Sequence, residues 1–168
     1  MTVQANRGTV SSGEALCRAT RYALRVATAT WLFVMTATAL AAPHCTVSAT
    51  AINFGSYDVF DSSPNDDGHG TIQVNCKGSA ASIPVALSPG QSNTYALREM
   101  DNGTDTLTYN LYIDPARTMI WGDGTGGSSV TTLGGKSDTT LQIYGRIPAM
   151  QDATVGNYSD NITITVIF

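Results

Sequence analysis

The residues best suited to chemistry in this 168-residue chain are few and scattered. Trp121 and Asp123, in the run Trp-Gly-Asp-Gly, could form a sugar site, with the indole as a stacking ring and the carboxylate as an acceptor. A Gly-rich run of this kind is more often a turn beside a partly buried Trp. Asp58, Asp61, Asp66 and Asp67 could gather around a calcium ion, but their spacing fits no EF-hand, and acidic loops are commonly just solvated. Catalysis has little to build on. His44 and His69 are the only histidines, no serine stands in a nucleophile-elbow setting, and nothing singles out a carboxylate pair from the many Asp residues. The two histidines and the absence of CxxC or HxxxH spacing also leave a zinc site short of ligands, so no metal, no cofactor and no enzymatic activity are expected. Asn102-Gly-Thr, Asn157-Tyr-Ser and Asn161-Ile-Thr fit the glycosylation pattern but read as turn and strand residues.

The elements that would position these groups read as strands. Gly156–Phe168 alternates: Tyr158, Ile162, Ile164, Val166 and Phe168 share one face, and Ser159, Asn161, Thr163 and Thr165 the other. A strand of this kind must pair inside a sheet or offer its edge to another chain. Upstream, Cys45–Phe54 is the first candidate strand. Its apolar parity slips by one residue near Ala51–Ile52, which predicts a bulge there. Gly70–Lys77 follows with Ile72, Val74 and Cys76 inward, then Ser82–Leu87, where Pro84 suggests an edge position. Tyr95–Met100 and Leu107–Ile113 flank the turn Asp101-Asn102-Gly103. Thr118–Trp121 reads as a short strand, Gly122–Ser129 as a loop, and Thr139–Ile147 as a further strand. Seven or eight short strands with turns between them predict an all-β sandwich.

Residues 1–41 differ in character. Arg18, Arg21 and Arg25 precede an apolar run over 26–40, and Ala39-Leu40-Ala41 has the small-x-small pattern of a cleavage site, so a secretory signal peptide ending at Ala41 is expected. The run is short and rich in Thr for a membrane anchor. Two domains of sequence result: residues 1–41 with the leader, and residues 42–168 as one β domain. Beyond Ala41 there are five basic residues against twelve acidic ones, which argues against nucleic acid and against docking on anionic lipid, and no second long apolar run remains to span a membrane. Cys17 leaves with the leader, and Cys45 and Cys76 are expected to form one disulfide in the exported chain. Their positions at the start of one strand and the end of the next suit an antiparallel pair.

The order of C-T-V-S-A-T-A-I-N-F-G-S-Y-D (45–58), G-T-I-Q-V-N-C (70–76), L-T-Y-N-L-Y-I-D-P-A-R-T (107–118), I-W-G-D-G-T-G-G (120–127), I-Y-G-R-I-P-A-M-Q (143–151) and G-N-Y-S-D-N-I-T-I-T-V (156–166) closely resembles the spore coat protein U domain shared by subunits of archaic chaperone–usher pili. The resemblance implies an immunoglobulin-like antiparallel sandwich that lacks one strand. A periplasmic chaperone, and then a neighbouring subunit, would fill the gap by β-strand addition. It also implies an outer-membrane usher as partner, and a location reached through the periplasm: the cell surface, a pilus or the medium. The acceptor groove would be lined by Ile162, Ile164, Val166 and Phe168. Only Ala42-Pro43-His44 would precede Cys45 after cleavage, too few for a donor strand, which suggests a terminal, tip or coat position. The competing expectation is a carbohydrate- or surface-binding adhesin working through its loops. The missing-strand expectation is exposed to a direct contradiction: a segment of the same molecule closing the seam.

Overall fold

The computed structural model describes residues 2–5, 44–78, 82–134 and 138–168. The expected leader and its cleavage site, and Cys17 and Lys136, lie outside the described residues, apart from the four residues of the first strand. Among the described residues no helix is long and apolar enough to cross a membrane.

Among the described residues nine strands form two sheets: β1 Thr2–Ala5, β2 His44–Ala49, β3 His69–Lys77, β4 Ser82–Leu87, β5 Arg98–Asp101, β6 Thr106–Tyr112, β7 Thr131–Gly134, β8 Asp138–Arg146 and β9 Thr163–Val166. One sheet has the order β1-β9-β4-β7 and the other β2-β3-β8-β6-β5. Every pairing is antiparallel except that of β1 with β9. Alternation sends one face of each strand into a shared core. Ile72 and Val74 of β3 and Ile143 of β8 join Ile83, Val85 and Leu87 of β4 and Ile164 and Val166 of β9 in a single cluster. An all-β sandwich therefore stands as expected.

Several local expectations shift. The first strand ends at Ala49, opposite Ile72, yet Asn53 bridges to His69. Four residues on one side thus match three on the other, the extra residue expected near Ala51–Ile52. It returns Ile52 and Phe54 to the core side, where both pack on the buried cluster. Pro84 does not mark an edge, because β4 lies between β9 and β7. Its missing N–H is tolerated because the β9 register begins at Val85, while the Pro84 carbonyl still accepts the Ile167 N–H at 3.2 Å. Thr118–Trp121 is not a strand. Ile120 and Trp121 make single bridges, to Tyr112 and Ser129. Thr131–Gly134, which has only one buried side chain (Leu133) to signal it, pairs with β4 instead. The long terminal strand is regular only over Thr163–Val166. Upstream, Ser159 exchanges both backbone hydrogen bonds with Asp101 of β5, in the other sheet. The last segment thus crosses from one sheet to the other.

Cys45 and Cys76 sit opposite each other in the β2–β3 register and are disulfide-bonded, with Cα atoms 4.1 Å apart. The bond ties β2 to β3 across 31 residues of sequence. Replacing both cysteines by serine should lower the unfolding free energy by about 2–4 kcal/mol, chiefly by freeing the unfolded chain. Urea titrations of oxidised wild type and the double variant check this.

Candidate functional site: the seam beside the terminal strand

Along one side of the sandwich β2 is the edge of one sheet, and β9 would be the edge of the other but for β1. The structure places β1 on this seam. Thr2 to Ala5 pair in parallel with Thr163 to Val166, and β1 also comes up against β2. The expectation of an unfilled edge is corrected over this stretch: four residues of the same chain supply the ninth strand. A free edge of backbone N–H and C=O groups is a strong template, and the apolar face of β9 gives a pairing segment something to cover.

β1 fills only part of the seam. Where β9 gives way to Tyr158–Ile162 and β2 to Ala51–Val59, a cavity of ≈ 780 Å³ runs between the two segments. Its floor comes from the inner face of the other sheet: Met100, Leu107, Tyr109 and Leu111. Of the four residues expected to line a groove, Ile162 lines this cavity. Ile164 and Val166 are buried in the core, Ile164 opposite Leu87 on the β4 side and Val3 on the β1 side, and Phe168 is partly buried against the same cluster.

The cavity wall is built by close packing. The Phe54 ring meets Tyr109 edge-on, with centroids 5.8 Å apart. It lies so near Gly68 and Gly145 that a Cβ at either would fall 2.3 and 2.6 Å from ring carbons. Glycine at both positions is therefore what lets the chain after the bulge close down onto β8. Polar groups share the walls with apolar ones. At one of them the Tyr109 hydroxyl donates to Asp160 Oδ2 at 2.7 Å, while Asp160 Oδ1 accepts the N–H of Gln91 at 3.1 Å and that of Asn161 at 2.7 Å. This accounts for Asp160, which falls between Tyr158 and Ile162 on the otherwise apolar face of the terminal segment. Burial, and then the Asp160 carboxylate, push the Tyr109 phenol far above its ordinary value, so it stays a donor at every working pH. Gln151 fastens the facing wall. Its Oε1 accepts both the backbone N–H (2.8 Å) and the hydroxyl of Thr108, its Nε2 donates to the Thr108 carbonyl at 2.9 Å, and its own backbone N–H donates to the Tyr57 hydroxyl at 2.9 Å. The side-chain amide thereby substitutes for a neighbouring strand on β6.

The other candidate residues are not brought together into a site. Trp121 is fully buried, its Nε1 donating to the Val85 carbonyl at 3.0 Å, so it cannot present a ring to a sugar. That expectation is corrected: the indole is core. Asp123 is exposed and turns inward on its own loop, accepting from Thr125 N and Oγ1 at 2.9 and 2.7 Å, and these bonds hold its carboxyl below the usual range. Among the acidic residues of the first loop, Asp58 and Asp61 each accept a backbone N–H two residues on. Asp66 is held by Arg146 through two bonds of 2.7 and 2.8 Å, with Arg117 at 3.2 Å, and the Arg146 bond draws its carboxyl below the usual range. These carboxylates serve turns and ion pairs, and among the described residues no three potential metal ligands converge. Arg98 on β5, which no local pattern singles out, is fully buried. An arginine in an acidic chain reads as solvated, and nothing near it in sequence signals otherwise.

Comparison with known proteins agrees with this architecture. Protein U of Myxococcus xanthus is 34% identical over 128 residues, covering 70% of this chain and 71% of that protein. Among solved structures, the CsuC–CsuE chaperone–tip adhesion subunit pre-assembly complex from archaic chaperone-usher Csu pili of Acinetobacter baumannii matches with a TM-score of 0.51 at 19% identity. That match covers 76% of this chain and 40% of the other, so this chain spans less than half of that solved chain's length. The profile of the Spore Coat Protein U domain matches residues 31–165. On that match and the 34% identity, the chain belongs to the Spore Coat Protein U domain family.

Proposed function

We propose that this protein is a structural subunit, not an enzyme, of a chaperone–usher pilus or surface coat, and that it works by accepting a β-strand along the seam between β2 and β9. The observation that carries the reading is the state of that seam: one half takes a strand on the backbone of Thr163–Val166, and the other half is a hollow beside Tyr158–Ile162 with an apolar floor and mixed walls. A foreign strand running in the direction of β1 and extending past the register of Thr2 would pass beside Ile162 and enter the cavity. Spanning both halves takes roughly nine residues at ~3.3 Å each. Main-chain pairing would supply affinity, and Ile162, Ile164, Val166 and Phe168 would read alternate side chains.

On this reading residues 1–41 are the export leader. Their removal takes Thr2–Ala5 away and frees the edge, so residues 42–168 are an incomplete immunoglobulin-like sandwich. A periplasmic chaperone, an outer-membrane usher and neighbouring subunits are its partners, and it reaches the cell surface through the periplasm. With three residues left ahead of Cys45 it accepts a strand and gives none, which suits a fibre end or a coat. One solved structure that shares the fold is a complex of a chaperone with a tip adhesion subunit, which supports the reading. The loop-adhesin alternative loses its anchor with the burial of Trp121.

The test is export of the full chain with and without the cognate chaperone. The processed protein alone should aggregate or be degraded, and with the chaperone it should be recovered as a one-to-one complex. A processed chain that stays monomeric and unfolds cooperatively by itself would refute strand acceptance.

A further inference from the structure

The turn between β5 and β6 holds an arrangement that the strand-accepting seam does not use. We propose that Asn102–Gly103 is a self-modification site, at which the fold promotes succinimide formation and conversion of Asn102 to aspartate or isoaspartate. Three donors converge on the Asn102 side-chain oxygen: Thr104 N–H at 2.9 Å, the Thr104 hydroxyl at 2.9 Å and Asp105 N–H at 2.8 Å. They polarise the amide carbon and are placed to hold an oxyanion on Oδ1. The nucleophile is the backbone nitrogen of the next residue. The Gly103 N–H donates to Asp101 Oδ1 at 3.0 Å, so a carboxylate base already faces the proton that must leave. Gly103 carries no side chain, has φ of 90°, and has nothing within 4 Å of where a Cβ would stand, so no side chain or more distant group crowds its Cα.

The chemistry balances without any outside reagent but water. Gly103 N bonds to Asn102 Cγ and its proton passes to Asp101. The oxyanion on Oδ1 then collapses, the Cγ–Nδ2 bond breaks, and nitrogen leaves as ammonia with the proton returned by Asp101. Water opens the imide at either carbonyl, giving aspartate or isoaspartate at 102.

The location gives the change a consequence. Asn102 Nδ2 donates to Thr154 Oγ1 at 3.3 Å and lies 2.6 Å from where a Gly156 Cβ would be. Thr154 and Gly156 belong to the segment that walls the cavity. Conversion removes that donor and adds a negative charge between Asp101 and Asp105, so it weakens the hold of the β5–β6 turn on the 154–156 segment, leaving the Thr154 N–H to Asp105 Oδ2 bond of 2.8 Å as the remaining tie.

Incubation of the purified protein, alone or with its chaperone, at neutral pH followed by peptide mass spectrometry tests this. The expected result is that the Asn102 peptide gains the NH2-to-OH mass change faster in the folded protein than in the same protein held in denaturant. The Asp101→Asn variant should slow the folded-state rate about tenfold or more while leaving the denatured-state rate unchanged. Thr104→Val, which removes one oxyanion donor and keeps the backbone bonds, should slow it several-fold. A folded-state rate at or below the denatured one, or an Asp101→Asn variant that folds and modifies at the wild-type rate, would overturn the proposal.

Discussion

Arg98→Ala should lower the unfolding free energy by about 3–5 kcal/mol, which for a domain of this size is a large share of the total. Arg98 is fully buried on β5, and its charge has no hydrogen-bonded carboxylate. Neutral dipoles hold it instead. Nη1 donates to Asn110 Oδ1 at 2.6 Å, Nη2 to the carbonyls of Trp121 at 2.6 Å and Ser88 at 2.9 Å, and Nε to Ser88 at 3.2 Å, while the guanidinium carbon lies 5.4 Å from the centre of the Tyr95 ring. Burial pushes its pKa down, yet a guanidinium stays charged at any working pH. Removing it strands the carbonyls of Trp121 and Ser88, leaves Asn110 Oδ1 with only the Leu111 N–H, and opens a hole where β5, the turn after β4 and the Trp121 segment converge. Arg98→Lys should recover little, since an ammonium cannot fork to three acceptors in one plane. Arg98→Met, which keeps most of the volume, separates lost packing from lost hydrogen bonds. Urea titration followed by Trp121 fluorescence checks the series, and a loss below about 1 kcal/mol for Arg98→Ala would show that water replaces the guanidinium at little cost.

Trp121→Ala should cost a similar ~3–5 kcal/mol, through loss of the largest fully buried side chain in the core. The backbone of Trp121 is tied on both sides, its N–H donating to the Leu111 carbonyl at 2.8 Å and its carbonyl accepting from Arg98 at 2.6 Å. Trp121→Phe keeps much of the ring but orphans the Val85 carbonyl on that side, a loss of about 1 kcal/mol. The two sites share a hydrogen bond, so Arg98→Ala and Trp121→Ala combined should cost less than the sum of the single changes. Thermal melts by circular dichroism measure the pattern. If the protein binds any glycan, binding by Trp121→Phe should stay at the wild-type level; a selective loss of binding in a fully folded Trp121→Phe protein would restore the sugar-platform reading.

Much of the architecture was legible without coordinates. Alternation is local, so Ile72, Val74, Ile83, Val85, Leu107, Leu111, Ile143, Ile164 and Val166 could be assigned to the core from their own neighbours in sequence. The parity slip near Ala51 marked the bulge for the same reason, and the two cysteines lay where an antiparallel register brings them together. What stayed hidden depends on partners distant in the chain. Trp121 reads as the end of a short strand before a Gly-rich loop, where a ring could stack on a ligand, and its full burial is set by Val85 and Leu111, which lie elsewhere in the chain. Arg98 reads as a surface cation because nothing nearby in sequence reveals the carbonyls of Ser88 and Trp121 that replace its water. Pro84 reads as an edge residue because the strand on its other side comes from the far end of the chain. Which stretch occupies the seam is the clearest case. Periodicity shows that the terminal strand has a face to bury and an edge to offer, but pairing is decided by backbone groups that every residue carries alike, so only the assembled sheets place Thr2–Ala5 on one half and leave the other half hollow.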